Sequence, residues 1–176
     1  MSDRAEILRT ARLRLRLAAA GDAAFYLDLV NDPDFIARIG DRGLRTLEAA
    51  ARALEEGPVA MQRARGHSLY VVELLEGGAP IGLSGLVKRD TLQEVDIGYA
   101  FLPAYRARGY AFEAAQAVAA HARDLGIARL AAITDPANAA SIGLLHKLGM
   151  RFERFAVLAP GQPGVNVYLM ALAPHA

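Results

Sequence analysis

The sequence contains no cysteine and no tryptophan, and its charges nearly cancel to a formal net charge of +1. Without cysteine, the chain has no disulfide scaffold, no thiolate metal site and no cysteine nucleophile. The charge balance and the absence of a long basic run argue against nucleic acid as the main ligand. The four histidines lack the spacing of metal ligands, so we predict no metal site. They are His67, His121, His146 and His175.

The sequence also lacks long apolar runs, repeats and linkers. No apolar stretch reaches the roughly 20 residues that a membrane-spanning helix needs. The charged N-terminus has no signal-peptide pattern. Residues of the hydrophobic type make up 53% of the 176 residues, enough for one sizeable core. We therefore predict a single domain over residues 1–176, cytoplasmic, without membrane contact. A homodimer is compatible with this sequence.

Strands and helices alternate in the hydrophobic pattern. Residues 12–17 alternate polar and apolar and predict a strand with one buried face. The remaining predicted strands are 68–75, 80–87, 94–102, 128–134, 151–158 and 165–173. Helices are predicted from residue 21, within 31–45, over 46–63 with a break at Pro58, over 109–125 and over 138–148. This order predicts a mixed α/β fold with an antiparallel meander and one βαβ crossover.

The segment Arg106-Ala107-Arg108-Gly109-Tyr110-Ala111 joins a predicted strand to an alanine-rich helix. Free N–H groups at a helix start bind phosphate, and glycine lets the backbone approach an anion closely. An ordinary turn with solvated arginines explains the segment equally well on local physics. The P-loop and the three-glycine dinucleotide fingerprint are both absent from the chain.

Three features together carry a resemblance to a known family. Arg106-x-x-Gly109-x-Ala111 follows Asp96-Ile97-Gly98-Tyr99, and residues 135–150 read Asp-Pro-x-Asn-x-x-Ser-Ile-x-x-Leu-x-Lys-Leu-Gly-Met. These motifs and the element order resemble the GNAT N-acetyltransferases, in the branch of the ribosomal-protein alanine acetyltransferases (RimJ/RimL-like). The resemblance implies a mostly antiparallel seven-stranded sheet with splayed central strands and helices on both faces. It also implies acetyl-CoA as co-substrate and an amine as acceptor.

The resemblance further implies how acetyl-CoA is held. The pantetheine arm pairs with the backbone around Phe101 and Leu102, and an N–H group near Leu102 polarises the thioester carbonyl. The pyrophosphate lies on the N–H groups of Arg108, Gly109, Tyr110 and Ala111, with Arg106 adding positive charge. Asn138 contacts the CoA arm, although its place as a helix N-cap explains it as well.

Direct attack on the thioester needs a base for the ammonium and an acid for the thiolate. Glu94 and Asp96 lie on one face of the strand that leads to the site, so either is a candidate base, or both are ion-paired surface residues. Ser141 is the candidate acid, or a plain first-turn residue. His146 titrates near neutral pH and could also serve, but a cation is favoured at a helix end in any case.

The acceptor is left open by the sequence. The family builds its acceptor groove from the segments that correspond to residues 21–63 and 156–168, which have little pattern here. Three arginines in this region, at 38, 42 and 45, attract an acidic acceptor or a CoA phosphate, or are solvated. Protein N-termini, polyamines, amino acids and antibiotics all remain candidates. A non-catalytic acyl-CoA-binding regulatory module is the alternative function.

Overall fold

The computed structural model describes residues 4–174 and contains one eight-stranded sheet in the order β1-β2-β3-β4-β5-β6-β8-β7. Residues 1–3 and 175–176 lie outside this description. The predictions for the extreme N-terminus and for His175 therefore fall outside the described residues. The strands are β1 Glu6–Arg9, β2 Leu13–Arg16, β3 Leu69–Leu74, β4 Pro80–Val87, β5 Val95–Phe101, β6 Arg129–Thr134, β7 Arg151–Ala156 and β8 Val165–Ala171. The predicted α/β fold with a mixed, mostly antiparallel sheet is confirmed.

The count of seven strands was wrong by one, because β1 was not predicted. This edge strand has only four residues, and its two inner residues are the half-buried ones, so it shows no alternation between faces. It pairs antiparallel with β2 and extends the sheet by one strand.

Six α-helices accompany the sheet in the described residues: α1 Ala23–Val30, α2 Pro33–Arg38, α3 Leu47–Leu54, α4 Ala60–Arg65, α5 Tyr110–Asp124 and α6 Ala139–Leu148. The break expected at Pro58 takes an unexpected form. A π-helical turn, Glu55–Val59, carries the chain from α3 directly into α4. Proline has no N–H to donate, and the wider turn accommodates it without ending the helical path.

The helices cover the sheet from both faces. On one face, α5 packs its alanines and Val118 against buried strand residues such as Tyr70 and Phe101. Small alanine side chains let this helix lie close to the strands. On the other face, Leu29 of α1 and Leu54 of α3 pack against the middle of the sheet. The ends of β5 and β6 lie between these two layers.

The two central strands diverge. β5 and β6 run parallel but pair only at Val95 with Leu130 and at Asp96 with Ala131. Beyond these pairs β5 continues to Phe101, while β6 continues to Thr134 beside β8. The sheet therefore opens into a V at the carboxyl ends of these strands, as predicted.

Candidate active site

A cleft of about 550 Å³ opens at the mouth of the V. Its walls come from the end of β5, the loop that follows, the first turn of α5, one side of α6 and the helix α2. Seven of the predicted site residues line it: Phe101, Arg106, Gly109, Tyr110, Ala111, Asn138 and Ser141. Residues as distant in the sequence as Asp34 and Lys147 thus meet at one cleft.

The start of α5 presents unpaired backbone N–H groups to this cleft. Gly109 precedes the helix in a left-handed conformation, with φ of 83°, and no side chain caps the helix. The first intrahelical bond runs from the N–H of Glu113 to the carbonyl of Gly109, at 3.1 Å. The N–H groups of Tyr110, Ala111 and Phe112 therefore have no partner within the helix. This geometry suits a phosphate group.

Arg12, the residue before β2, holds this loop in place. Its Nη1 donates to the carbonyl oxygen of Arg108 at 3.1 Å, and its guanidinium lies 4.4 Å from the Tyr110 ring centroid. Glu113 in turn accepts from Arg12 and from the Thr10 hydroxyl, at 2.7 and 2.6 Å. Burial alone would raise the pKa of Glu113, but these hydrogen bonds outweigh it and lower that pKa. The spacing of residues in the sequence did not indicate these contacts of Arg12 and Glu113.

Arg106 is committed to other parts of the protein. Its guanidinium pairs with Asp32 and Asp34 at 2.6 and 2.8 Å, and its Nε donates to the carbonyl oxygen of Phe101 at 3.0 Å. Arg106 therefore fastens the start of α2 to the end of β5. The positive charge expected beside the anion is largely neutralised by these two carboxylates.

The backbone N–H of β5 that faces the cleft lies one residue before Leu102, the expected position. The N–H of Leu102 donates to the carbonyl oxygen of Ile81 at 2.9 Å, so it is not free to polarise a thioester. Backbone groups alternate in direction along a strand. The amides of Tyr99 and Phe101 consequently point away from β4, toward the open V. The expected N–H near Leu102 is best supplied by Phe101.

Ser141 and Tyr99 meet inside the cleft. The Asn138 side chain accepts from the N–H of Ser141 at 3.1 Å, which confirms Asn138 as the N-cap of α6. The Ser141 hydroxyl lies 2.8 Å from the Tyr99 hydroxyl. Burial raises the pKa of Tyr99, the Ser141 hydrogen bond works against this, and nearby Asp96 raises it further. The phenol therefore stays protonated at neutral pH.

Tyr99 is a cleft residue to which the sequence pattern assigns no chemical role. The signal that marks it is its position two residues before Phe101, which places both side chains on one face of β5. That face looks toward α6 and Ser141. No spacing rule joins a strand residue to a helix residue 42 positions later.

Asp96 is buried on the opposite face of β5 and pairs with Arg89 at 2.5 Å. Burial raises its pKa to about 6, against the attraction of Arg89. On the same face of β5, the residue nearest to Asp96 that lines the cleft is Ala100. Four strand residues span about 13 Å, so the Asp96 carboxylate does not itself line the cleft. Glu94 lies two residues before Asp96, farther from the cleft, and its carboxylate is 3.8 Å from the Arg129 guanidinium. The assignment of either as base stays a prediction.

The remaining predicted groups lie at or beyond the rim. Arg38 lines the cleft and reaches Asp135 across the V at 3.4 Å. Arg45 instead pairs with Asp41. His146 is exposed, does not line the cleft, and packs edge-on against Tyr168 with centroids 5.6 Å apart. This contact favours a structural role for His146.

Residues 4–174 contain neither a metal-binding cluster nor a membrane-spanning helix. No three or more His, Asp or Glu side chains are gathered in a way that suits a metal ion. None of the helices is both long enough and apolar enough to cross a membrane.

Known proteins resemble this chain in sequence and in fold. A family model described as an acetyltransferase (GNAT) domain matches residues 12–151. The protein YkkB of Bacillus subtilis strain 168 is 30% identical over 151 residues, which are 84% of this chain and 86% of YkkB. An acetyltransferase from Agrobacterium tumefaciens strain C58 superposes with a TM-score of 0.80 at 27% identity, over 94% of each chain. RimL, a ribosomal L7/L12 α-N-protein acetyltransferase solved with coenzyme A, shares the fold with a TM-score of 0.80 at 17% identity, over 96% of this chain and 98% of RimL.

Proposed function

The chain belongs to the family of GNAT acetyltransferases, and from this premise we propose that it transfers the acetyl group of acetyl-CoA to a primary amine by direct attack on the thioester. The observation that carries this proposal is the cleft itself. It joins an uncapped helix start, an open strand edge and a hydroxyl pair within one V-shaped opening. The helix start can bind a diphosphate, the strand edge can pair with the extended pantetheine arm, and the hydroxyl pair can donate a proton.

Binding of the donor follows from the backbone. The diphosphate accepts from the N–H groups at Tyr110 and Ala111, beside the exposed side chain of Arg108. The pantetheine arm extends along β5 and pairs with the free backbone groups of Tyr99 and Phe101, as an added strand would. The Phe101 amide then donates to the thioester carbonyl and stabilises the oxyanion that forms. Asn138 keeps α6 in register beside the arm.

Proton transfers at the nitrogen and at the sulfur complete the reaction. The amine loses its proton to Asp96 through water, since a carboxyl group with a raised pKa is a better base than an ordinary aspartate. The amine attacks the carbonyl carbon, and the nitrogen then releases its second proton to solvent water as the C–S bond breaks. The thiolate takes a proton from the Ser141 hydroxyl. Tyr99 donates to Ser141 as that proton leaves, so the charge passes to a group that water can reprotonate.

The acceptor is a peptide or protein N-terminus or a small-molecule amine. Support for this range comes from relatives of the same fold: RimL is described as an α-N-protein acetyltransferase, and MccE, a microcin self-immunity acetyltransferase, was solved with acetyl-CoA.

The deciding experiment is a CoA-release assay over peptides with varied N-termini and over polyamines, amino acids and aminoglycosides. Thermal unfolding with and without acetyl-CoA accompanies it. Stabilisation by acetyl-CoA with no CoA release across the panel would contradict catalysis, and no stabilisation would contradict donor binding.

Ala111→Glu tests the diphosphate site. The new carboxylate lies in the first turn of α5, where it repels a diphosphate but favours the helix dipole. We expect KM for acetyl-CoA to rise about tenfold while the midpoint of thermal unfolding stays unchanged or rises slightly. Leu47→Glu is the matched control, because it adds the same charge at the exposed start of α3, away from the cleft. An unchanged KM in Ala111→Glu would place the diphosphate elsewhere.

Asp96 predicts how the rate and the stability depend on pH. Only the carboxylate form accepts a proton, so kcat/KM should rise about tenfold per pH unit below about 6 and level off above it. The folded-state pKa lies above the unfolded value, so the stabilising contribution of Asp96 is complete below about pH 4 and is lost as pH rises through about 6. Asp96→Asn should remove both trends and lower kcat/KM. A wild-type rate profile that is flat between pH 5 and 7 would exclude Asp96 as the base.

A further inference from the structure

Arg38 and Asp135 form an ion pair across the mouth of the V. Arg38 is the last residue of α2, and Arg106 fastens the start of that helix to the end of β5. Asp135 is the first residue after β6, the other arm of the V. Nη1 of Arg38 lies 3.4 Å from Oδ2 of Asp135, and the two side chains are 42% and 31% exposed. The pair therefore bridges the opening between the two diverging strands.

This ion pair is weaker than those of the neighbouring arginines. Arg106, the other arginine that lines the cleft, binds two carboxylates at 2.6 and 2.8 Å. Arg45 binds Asp41 at 2.7 Å and does not line the cleft. An exposed pair with one long contact contributes little free energy, because water screens both charges. The guanidinium of Arg38 is therefore the one in the cleft that a bound anion can recruit at little cost.

The wall around Arg38 combines this charge with an apolar surface. Ile39 also lines the cleft and is 47% exposed. Asp34 lines the cleft four residues before Arg38, on the same face of α2, but Arg106 binds its carboxylate at 2.8 Å. The Asp34 side chain is also 74% exposed, so water screens the charge that remains. This wall suits a ligand that presents a carboxylate to Arg38 and methylene groups to Ile39.

We propose that Arg38 binds a carboxylate of the acceptor, so that the preferred substrates are primary amines with an acidic group close to the amine. This step rests on the proposed function, which places the donor along β5 and the start of α5 and leaves the α2 wall to the acceptor. The carboxylate of the acceptor replaces Asp135 and takes two parallel hydrogen bonds from the guanidinium, which are stronger than one long contact. Asp135 thus competes with the acceptor for Arg38.

Acceptors that differ only in charge test this assignment. One set is three tripeptide amides that begin with glutamate, glutamine or lysine and continue with two alanines. The other set is 4-aminobutyrate, 4-aminobutanamide and 1,4-diaminobutane. In at least one set, wild type should use the acidic member with a kcat/KM about tenfold above that of the neutral member, and the cationic member least well. Added salt should reduce this preference, because Arg38 is partly exposed.

The two partners of the ion pair give opposite expectations. Arg38→Met should raise KM for the acidic acceptor about tenfold and leave KM for the neutral acceptor unchanged. Asp135→Asn should lower KM for the acidic acceptor about two- to fivefold, because it removes the competing charge. The asparagine retains an oxygen for the hydrogen bond that Asp135 accepts from the N–H of Ala137 at 2.8 Å. An ion pair with a purely structural role would make both variants poorer with every acceptor.

Arg9→Met and Glu6→Gln are the matched controls, because this exposed pair lies on β1, away from the cleft, and should leave every KM at its wild-type value. Changes of KM in the same direction in Arg38→Met and Asp135→Asn would overturn the proposal. Equal or better use of the neutral and cationic acceptors by wild type in both sets would also overturn it, while leaving acetyl transfer intact. No CoA release with any acceptor would contradict the proposed function itself, and this step with it.

Discussion

Replacing Ser141 with alanine is expected to lower kcat by about a hundredfold, at the lower end of what a positioned general acid contributes. In the proposed mechanism the departing thiolate loses its proton donor, while the backbone contacts proposed for acetyl-CoA are untouched. KM for acetyl-CoA should therefore change little. Steady-state kinetics with the best acceptor of the panel give both values. Water replaces the hydroxyl only in part, since the α6 N-cap and the Tyr99 ring still enclose the position.

Tyr99→Phe tests whether the Tyr99 and Ser141 hydroxyls act together as a proton relay or contribute to kcat independently. It keeps the ring and removes the hydroxyl that lies 2.8 Å from Ser141. We expect kcat to fall about tenfold, and the double variant to be no slower than Ser141→Ala, because two groups that act as a unit are not additive. Tyr70→Phe is the control, since Tyr70 is another buried tyrosine, bonded to His121 at 3.2 Å. Additive losses in the double variant would exclude the relay.

The elements that form the proposed donor site were predictable from the sequence, and the contacts among them were not. The glycine before α5, the alanines within it and the N-cap Asn138 are local signals, readable over a few residues. The pair of Tyr99 and Ser141 joins residues 42 apart, and Arg12 binds Glu113 across 101 residues. Such contacts depend on how the sheet brings its strands and helices together. Spacing along the chain does not encode them.

The same limit applies to the second strand of the sheet. Alternation over residues 12–17 predicted one buried face, which would leave the arginines on the polar face. Instead Arg16 has no exposed surface, and it binds Glu73 at 2.6 Å and Asp22 at 2.8 Å. Glu73 follows 57 residues later, on β3. A buried arginine in a strand becomes recognisable only when both of its carboxylate partners are placed beside it.

Arg16→Met should accordingly lower the free energy of unfolding by about 3–5 kcal/mol, because it removes the buried cation that two buried carboxylates share and leaves them only the partly exposed Arg14 and Arg4. Methionine fills most of the space of the arginine stem, so the loss reports charge more than volume. Urea unfolding at neutral pH, followed by circular dichroism, measures it. Arg14→Met is the matched control. Arg14 also binds Glu73, but its side chain is 37% exposed, so we expect a loss of about 1 kcal/mol or less.

The pH dependence of this loss tests its origin in the carboxylates. Burial would raise the pKa of Asp22, but hydrogen bonds from Arg16 and from the N–H of Ala19 outweigh it and lower that pKa. A lowered pKa means that the stabilisation is present above the unfolded value of 3.8 and is lost as pH falls through the folded one. The cost of Arg16→Met should therefore shrink in acid, where Asp22 is neutral without its partner. Equal costs for Arg16→Met and Arg14→Met, or a cost independent of pH, would show that the burial of this arginine has no bearing on stability.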